Sequence, residues 1–112
     1  MADFNLSPTL GSETGKIRPC IVVTNDIYNS KLKVIQIVPI TSWSQKKSRI
    51  ITSVTIKENS QNGLTKKSIA DCLQARPVDY TKRFVKQRGT LDAQILQQID
   101  FALLKVFELQ GI

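Results

Sequence analysis

The amino-acid sequence predicts a mainly β protein with one C-terminal helix, built as a small antiparallel barrel or curled sheet. Short apolar runs recur between turn signals from residue 19 to residue 87, a pattern typical of short strands joined by tight turns. After Gly89 the apolar residues recur at three- and four-residue spacing, as in an amphipathic helix. No linker, repeat or low-complexity tract interrupts the 112 residues, 41% of which are hydrophobic. Residues 1–112 are therefore expected to form a single domain.

The strands are predicted from apolar runs and from the polar residues that end them. The first two are Pro19–Thr24 and Leu32–Ile40. In Arg49–Lys57, apolar and polar side chains alternate, as expected for a strand with one solvated face. Two further candidates are Ser68–Ala75, which follows a tight-turn signal, and Phe84–Gln87.

The last segment is predicted to be an amphipathic helix that packs on the β body. Thr90 is the predicted N-cap, and Asp92 favours the first helical turn. Gly111 stands where a C-terminal stop is expected. The apolar stripe that would face the body consists of Leu91, Ile95, Ile99, Ala102, Leu103 and Val106.

The charge distribution indicates a polyanionic partner. The net charge is +7, and residues 1–89 carry 15 of the 16 basic side chains against six of the nine acidic ones, a net charge of +9. Such a basic body attracts nucleic acid, an anionic membrane or an acidic protein; a basic protein without such a partner is the alternative. No apolar run approaches the ~18 residues of a membrane helix. The start MADFNLSP lacks the features of a signal peptide, so the cytosol is the expected compartment.

The absence of histidine removes the most common acid–base group in enzymes. Cys20 and Cys72 lie in apolar runs and are expected to be buried, reduced thiols. A cysteine nucleophile normally relies on a histidine, and two distant cysteines without an imidazole make no metal-ligand cluster. Neither a metal nor another cofactor is therefore expected.

The polar segment Gly11–Lys16 looks like a phosphate-binding loop. A Walker A motif has four residues between its glycines and a Ser or Thr after its lysine, whereas this segment has three residues and is followed by Ile17. Nucleotide binding is therefore rejected. A functional glycine-flanked loop and a plain hairpin turn both remain open.

Two further segments offer groups suited to nucleic acid. An apolar run ends in two hydroxyls and the only tryptophan, Trp43, and Pro39 within it indicates a strand end or an edge strand. Beside the basic run 46–49, Trp43 is a candidate platform for stacking a base, or else a cap on the core. Gln74 and Arg76 add an amide that can contact a base edge and a guanidinium that can hold a phosphate.

In this order, the segments resemble the MazF/PemK toxin family over nearly the whole chain. The resemblance rests on GSETGKIRPCIVVTNDIYN, VPITSW and NGLTKKSIADCLQARPVD, followed by the terminal helix. Members of that family are ribosome-independent endoribonucleases, or mRNA interferases, of bacterial toxin–antitoxin pairs. The resemblance implies an SH3-like small β-barrel of the PemK/CcdB type, acting as a cytoplasmic homodimer on single-stranded RNA. The implied partner is a MazE-like antitoxin whose acidic, flexible tail lies across the RNA groove.

The resemblance also implies roles for individual residues. The family's active-site arginine falls on Arg18, its threonine on Thr41, and the carboxylate of the GSE loop on Glu13. The candidates for binding RNA are Lys16, Ser42, Trp43, Lys46, Gln74 and Arg76.

The implied reaction needs no histidine, because RNA carries its own nucleophile. The 2′-hydroxyl attacks the adjacent phosphorus in line, which leaves a 2′,3′-cyclic phosphate and a 5′-hydroxyl without metal-activated water. Arg18 would stabilise the developing charge, Thr41 would donate a hydroxyl, and Glu13 or solvent would take the 2′ proton. A CcdB-like gyrase-binding toxin and a catalytically silent RNA-binding module on the same fold are the alternatives.

Three features depart from the family pattern. The chain opens at MADFNLSP, so most of the first strand is expected to be missing and the sheet edge there to be weakened. Leu73 stands where an acidic residue often precedes the glutamine, which predicts a different base preference. Pro77 replaces a more usual polar residue and is expected to shift the backbone locally without abolishing binding.

Overall fold

The structure, a computed structural model, describes residues 1–25 and 31–108, which form an antiparallel sheet, short helices and one long C-terminal helix. The strands are β1 (Ala2–Asn5), β2 (Ile17–Val22), β3 (Val34–Ser42), β4 (Ser53–Ile56), β5 (Ser68–Asp71), β6 (Arg76–Asp79) and β7 (Phe84–Gln87). The helices are α1 (Gln45–Ser48), α2 (Tyr80–Arg83) and α3 (Ala93–Glu108), with a 3₁₀ turn at Cys72–Gln74. The predicted mainly β fold with a C-terminal helix is confirmed.

The sheet is organised around β3, its longest strand. The strand order is β4-β5-β3-β2-β1-β7, and β6 pairs with the first half of β3. On one side, residues 34–37 of β3 pair with β6 and residues 40–42 pair with β5; on the other side, residues 37–39 pair with β2. No pairing joins β4 to β7 within residues 1–25 and 31–108. The described sheet is therefore open, and the closed SH3-like barrel stays a prediction.

Pro39 lies inside β3, so the prediction of a strand end or an edge strand is wrong. Residues 38 and 39 fall between the stretch paired with β6 and the stretch paired with β5. Proline has no N–H to donate, and it is tolerated in this interval, where one side of the strand changes partners. Its ring is fully buried.

The first strand is short but internal, because β1 pairs with β2 on one side and with β7 on the other. Asp3, which is only 4% exposed, is held by Arg88, whose Nε and Nη2 donate to the two carboxylate oxygens at 2.7 and 2.9 Å. Arg88 Nη1 also donates to the carbonyl oxygen of Gly63 at 2.7 Å. The expected loss of the first strand and the weakened edge are therefore wrong. Four residues form this strand because two neighbouring strands and a buried ion pair hold them.

The apolar stripe of α3 packs on one face of the sheet, as predicted. Ile99, Ala102 and Val106 are buried against side chains of β2 to β5, and the rest of the predicted stripe is partly buried around them. The opposite face is covered by a second cluster that consists of Ala2, Phe4, Leu6, Cys20, Ile35, Ile37 and Val78. No helix in the described part of the chain is long and apolar enough to cross a membrane.

The long helix begins two residues later than the predicted N-cap, Thr90, implies. Its first residue is Ala93, and a carboxylate oxygen of Asp92 accepts the backbone N–H of Ile95 at 2.9 Å. Asp92 is therefore the capping residue, because its side chain accepts an N–H of the first helical turn. The predicted stop at Gly111 lies outside the described residues.

Two strands are shorter than the apolar runs that predicted them. In the Arg49–Lys57 run only Ser53–Ile56 is a strand, because α1, capped by the hydroxyl of Ser44, and a turn precede it. The Ser68–Ala75 run leaves the sheet after Asp71 and continues as the 3₁₀ turn. β1 and β6 were not predicted as strands.

Both cysteines are buried, free thiols, as predicted. Burial raises the pKa of the Cys20 thiol and of the Cys72 thiol to about 12. Neither side chain is therefore a thiolate near neutral pH, which agrees with a packing role for both.

Candidate active site

A cavity of about 700 Å³ opens where the β1–β2 loop (residues 6–16) meets the ends of β3 and β5. Polar side chains dominate its lining, and they combine three cations, two carboxylates, several hydroxyls and one amide. The residues that line it are Ser7, Thr9, Ser12, Glu13, Thr14, Gly15, Lys16, Arg18, Thr41, Ser42, Lys47, Asp71 and Gln74. Six of the nine predicted site residues are thus brought together: Glu13, Lys16, Arg18, Thr41, Ser42 and Gln74.

The register of the central strands sets Arg18 opposite Thr41. β2 and β3 are antiparallel and pair Cys20 with Pro39, and the same register continued by two residues matches Arg18 with Thr41. Side chains two residues apart on a strand point to the same face of the sheet. Both residues therefore lie on the face of Cys20, at the end where the cavity opens.

The guanidinium of Arg18 is oriented by the loop beside it. Its Nε donates to the carbonyl oxygen of Gly15 at 2.7 Å, and the side chain is half-buried. Within the described residues, the two Nη atoms have no protein partner. A guanidinium held at one end, with its terminal donors available in a cavity, is suited to binding phosphate oxygens.

The β1–β2 loop is shaped by two predicted site residues. From the 3₁₀ turn, Gln74 Nε2 donates to the carbonyl oxygen of Ser12, and Gln74 Oε1 accepts the N–H of Thr14, both at 3.3 Å. Within the loop, Glu13 Oε1 accepts the N–H of Leu10 at 2.6 Å. Gln74 therefore ties the loop to the 3₁₀ turn that follows β5, and Glu13 stabilises the loop from within.

Lys16 closes the loop in a left-handed conformation, with φ of 67°. Its N–H donates to the hydroxyl of Ser7, and its carbonyl oxygen accepts the N–H of Leu6, both at 2.8 Å. These bonds stabilise a backbone conformation that side chains with a Cβ rarely adopt. The exposed Lys16 side chain lines the same cavity as Arg18.

The electrostatics of the cavity favour an anionic ligand. Lys16, Arg18 and Lys47 supply three positive charges against the carboxylates of Glu13 and Asp71. Burial raises the pKa of Asp71; backbone N–H groups of the 3₁₀ turn and the Lys47 ammonium partly oppose that rise. A cavity with a positive balance attracts the phosphodiester backbone of a nucleic acid. Among the described residues, no group of three or more Cys, Asp or Glu side chains could hold a metal ion.

A smaller cavity of about 220 Å³ adjoins the first at Arg18, Thr41 and Ser42, which line both. It extends towards Leu64 and Lys66 and is half polar and half apolar in character. The two cavities together make a groove, with Arg18 and Thr41 where they adjoin.

Three predicted RNA-binding residues lie outside the large cavity. Trp43 is half-buried, and the Lys67 ammonium lies 4.1 Å from its ring centroid. Lys46 is exposed on α1. Arg76 Nη1 donates to the carbonyl oxygen of Leu6 at 3.3 Å, and the residue lines a separate depression of about 390 Å³.

Sequence reasoning missed Lys47 and Asp71, which both line the cavity. Lys47 belongs to the basic run that was singled out, and the short helix α1 turns it, and not Lys46, towards the cavity. Asp71 lies within the Ser68–Ala75 run, which was predicted as a strand. The available signal was strand alternation, which puts Asp71 on the same face as Ile69 and, through the β3–β5 pairing, as Thr41.

Comparisons with known proteins agree with this architecture. Residues 2–107 match the family described as PemK-like, MazF-like toxins of type II toxin–antitoxin systems. Endoribonuclease EndoA of Bacillus subtilis (strain 168) is 32% identical over 99 residues, which cover 88% of this chain and 83% of the relative.

Solved structures share the fold at lower sequence identity. The Mycobacterium tuberculosis toxin MazF-mt6 superposes with a TM-score of 0.74 at 19% identity, covering 96% of this chain and 97% of the other. A MazF from Deinococcus radiodurans gives a TM-score of 0.79 at 22% identity, covering 96% and 91%. With the family match over residues 2–107 and a relative above 30% identity, the chain belongs to the PemK-like, MazF-like toxins of type II toxin–antitoxin systems.

Proposed function

We propose that the protein is a toxin endoribonuclease that cleaves single-stranded RNA at short sequence motifs, without a metal ion, through the 2′-hydroxyl of its substrate. The observation that carries the proposal is the opposition of Arg18 and Thr41 in the middle of a cationic groove. Family membership supports the reaction class, since the relative EndoA is named an endoribonuclease. Such a toxin would act in the cytoplasm, where its RNA substrate is found.

The chemistry follows from what RNA supplies. Its 2′-hydroxyl oxygen attacks the adjacent phosphorus and expels the 5′-oxygen, so the protein must orient the strand and stabilise the charge that develops on the phosphoryl oxygens. Arg18 contributes terminal N–H donors, and Thr41 contributes a hydroxyl to the same phosphoryl group. One well-aimed donor of this kind lowers the barrier by ~3 kcal/mol, which is a factor of a hundred or more in rate.

The flanking nucleotides would lie along the rest of the groove. Lys16 and Lys47 are positioned to contact phosphates on the cavity side, and Ser42 lines both cavities beside the scissile group. Trp43, Lys46 and Arg76 line neither cavity, and we propose that they contact RNA that extends beyond the groove, by stacking and base contacts. Gln74 would act chiefly through the loop that it holds.

The proposed protein partners are a second copy of this chain and a MazE-like antitoxin with an acidic, flexible tail. Solved structures with this fold include a MazE–MazF complex from Deinococcus radiodurans, with a TM-score of 0.65 at 20% identity. The charge of +9 on residues 1–89 is complementary to an acidic tail laid along the groove.

One experiment separates this function from its two alternatives. Purified protein is incubated with a defined single-stranded RNA, with and without EDTA, and in parallel with gyrase and a plasmid in a supercoiling assay. The expected result is EDTA-resistant cleavage that leaves 5′-hydroxyl ends, with no effect on supercoiling. Inhibition of supercoiling without cleavage indicates a CcdB-like toxin, and RNA protection without new ends indicates a silent binding module. New ends that carry a 5′-phosphate would contradict attack by the 2′-hydroxyl.

A further inference from the structure

The reaction proposed above needs a group that accepts the 2′-hydroxyl proton, and two carboxylates line the large cavity. Glu13 is exposed on the β1–β2 loop, and one of its oxygens accepts the N–H of Leu10 at 2.6 Å. That contact turns the Glu13 carboxylate back towards its own loop. Asp71 is the other carboxylate, and it lies on the rigid end of β5 and not on a loop.

The strand register places Asp71 beside the central pair. β3 and β5 pair Thr41 with Ile69, and Asp71 is two residues further along on the same face. It is therefore a diagonal neighbour of Thr41, for which the typical Cα separation is ~7–8 Å. Arg18, Thr41 and Asp71 thus lie on three adjacent strands, on one face of the sheet, in one cavity.

The surroundings of Asp71 suit a proton acceptor. Its side chain is half-buried, and burial raises the pKa of its carboxyl group above the ordinary value, although the backbone N–H groups of Gln74 and Leu73 and the Lys47 ammonium partly oppose that rise. The net rise makes its carboxylate a stronger base than a solvated one. The other charged groups of the cavity are Glu13, Lys16, Arg18 and Lys47. The neighbouring Cys72 has a pKa of about 12 and stays protonated. A bound phosphodiester adds negative charge and would raise the pKa of Asp71 further.

We propose that Asp71 is the general base of the cleavage reaction, an inference that rests on the endoribonuclease function proposed above. The 2′-hydroxyl transfers its proton to the Asp71 carboxylate as its oxygen forms a bond to phosphorus. The bond from phosphorus to the 5′-oxygen breaks, and that oxygen takes a proton from water. The products are a 2′,3′-cyclic phosphate and a 5′-hydroxyl, and Asp71 returns its proton to solvent.

The test compares carboxylate-to-amide variants of the full-length protein on a single-stranded transcript, with cleavage rates measured from pH 5 to pH 9. The wild-type rate is expected to fall towards acid pH, with a midpoint above the pKa of an ordinary aspartate, because protonation removes the acceptor. Asp71→Asn is expected to cut at least a hundredfold more slowly and to lose this acidic limb. Binding of a DNA strand of the same sequence, which lacks the 2′-hydroxyl, should change less than threefold, whereas a merely structural role would weaken it.

Two further variants complete the design. Asp79→Asn is the matched control: Asp79 lies outside the groove, where its carboxylate caps α2, and asparagine caps equally well, so rate and pH profile should not change. Glu13→Gln should keep the acidic limb, because its carboxylate is assigned to the loop.

The outcomes separate the inference from the proposed function. Wild-type protein that leaves the transcript intact overturns both. If the wild-type protein cleaves the transcript, three results would overturn only the role of Asp71. Asp71→Asn could cut at a similar rate, or the acidic limb could disappear in Glu13→Gln instead. The third result is a wild-type pH profile without an acidic limb. The last measurement needs no variant and so does not depend on the folding of Asp71→Asn.

Discussion

Arg18 and Thr41 stand opposite each other two residues beyond the Cys20–Pro39 pair, at the point where β2 and β3 leave the ladder. The hydrogen bond from Arg18 Nε to the carbonyl oxygen of Gly15 orients the guanidinium within the cavity. Two donors of different kinds therefore project from adjacent strands, and the loop fixes the direction of the guanidinium.

Removing either donor is expected to abolish most cleavage. Arg18→Ala and Thr41→Ala should each lower the rate on a labelled single-stranded RNA by a hundredfold or more, because each removes a donor aimed at the phosphoryl oxygens. Neither side chain belongs to the buried core, so thermal unfolding should stay close to wild type. Arg18→Lys is the matched control, because it keeps the positive charge but loses the paired N–H donors of the guanidinium. It should keep most RNA binding while cleavage remains slow. Wild-type rates in both alanine variants would show that the site is misassigned.

Gln74 is expected to act on activity through the β1–β2 loop. Gln74→Ala removes both hydrogen bonds to the loop, so amide exchange at Thr14 should become faster, and cleavage should fall by about tenfold to a hundredfold as Arg18 loses its fixed anchor on Gly15. Gln74→Glu keeps the acceptor for the Thr14 N–H but loses the donor to the Ser12 carbonyl oxygen. Its exchange rate at Thr14 and its cleavage rate should lie between those of the wild type and Gln74→Ala. Unchanged exchange at Thr14 in Gln74→Ala would contradict a loop-holding role.

The buried ion pair between Asp3 and Arg88 is expected to matter far more for stability than the exposed pair on α3. Asp3→Asn leaves the Arg88 guanidinium without its charge partner, and should lower the free energy of unfolding by about 3 kcal/mol or more in denaturant titrations. Lys105→Ala breaks the exposed pair with Glu108, whose atoms lie 3.2 Å apart, and should cost less than about 1 kcal/mol. Equal losses for both variants would mean that Asp3 does not anchor β1.

The N-cap of α3 offers a comparison between two neighbouring residues. Asp92→Ala removes the acceptor for the N–H of Ile95 and should destabilise the protein by about 1 kcal/mol. Thr90→Ala should have a smaller effect, because Asp92 already caps the helix. The measurement is the midpoint of chemical unfolding for each variant. A larger loss of stability in Thr90→Ala than in Asp92→Ala would show that Thr90 is the cap.

The sequence by itself determined the features that depend on neighbours along the chain. The apolar stripe of α3, most strand positions, the burial of both cysteines and the positive charge of the body follow from local spacing and composition. The segments around Arg18 and Thr41 were recognisable as motifs, because their residues are close in sequence.

Only the tertiary structure decided what depends on pairing between distant segments. Asp71 enters the cavity because β5 pairs with the end of β3; Pro39 is tolerated inside β3 because the partner of that strand changes there; and Asp3 meets Arg88, 85 residues away, because β1 lies between β2 and β7. Strand register and the choice of neighbouring strand arise from long-range packing, which local periodicity does not encode.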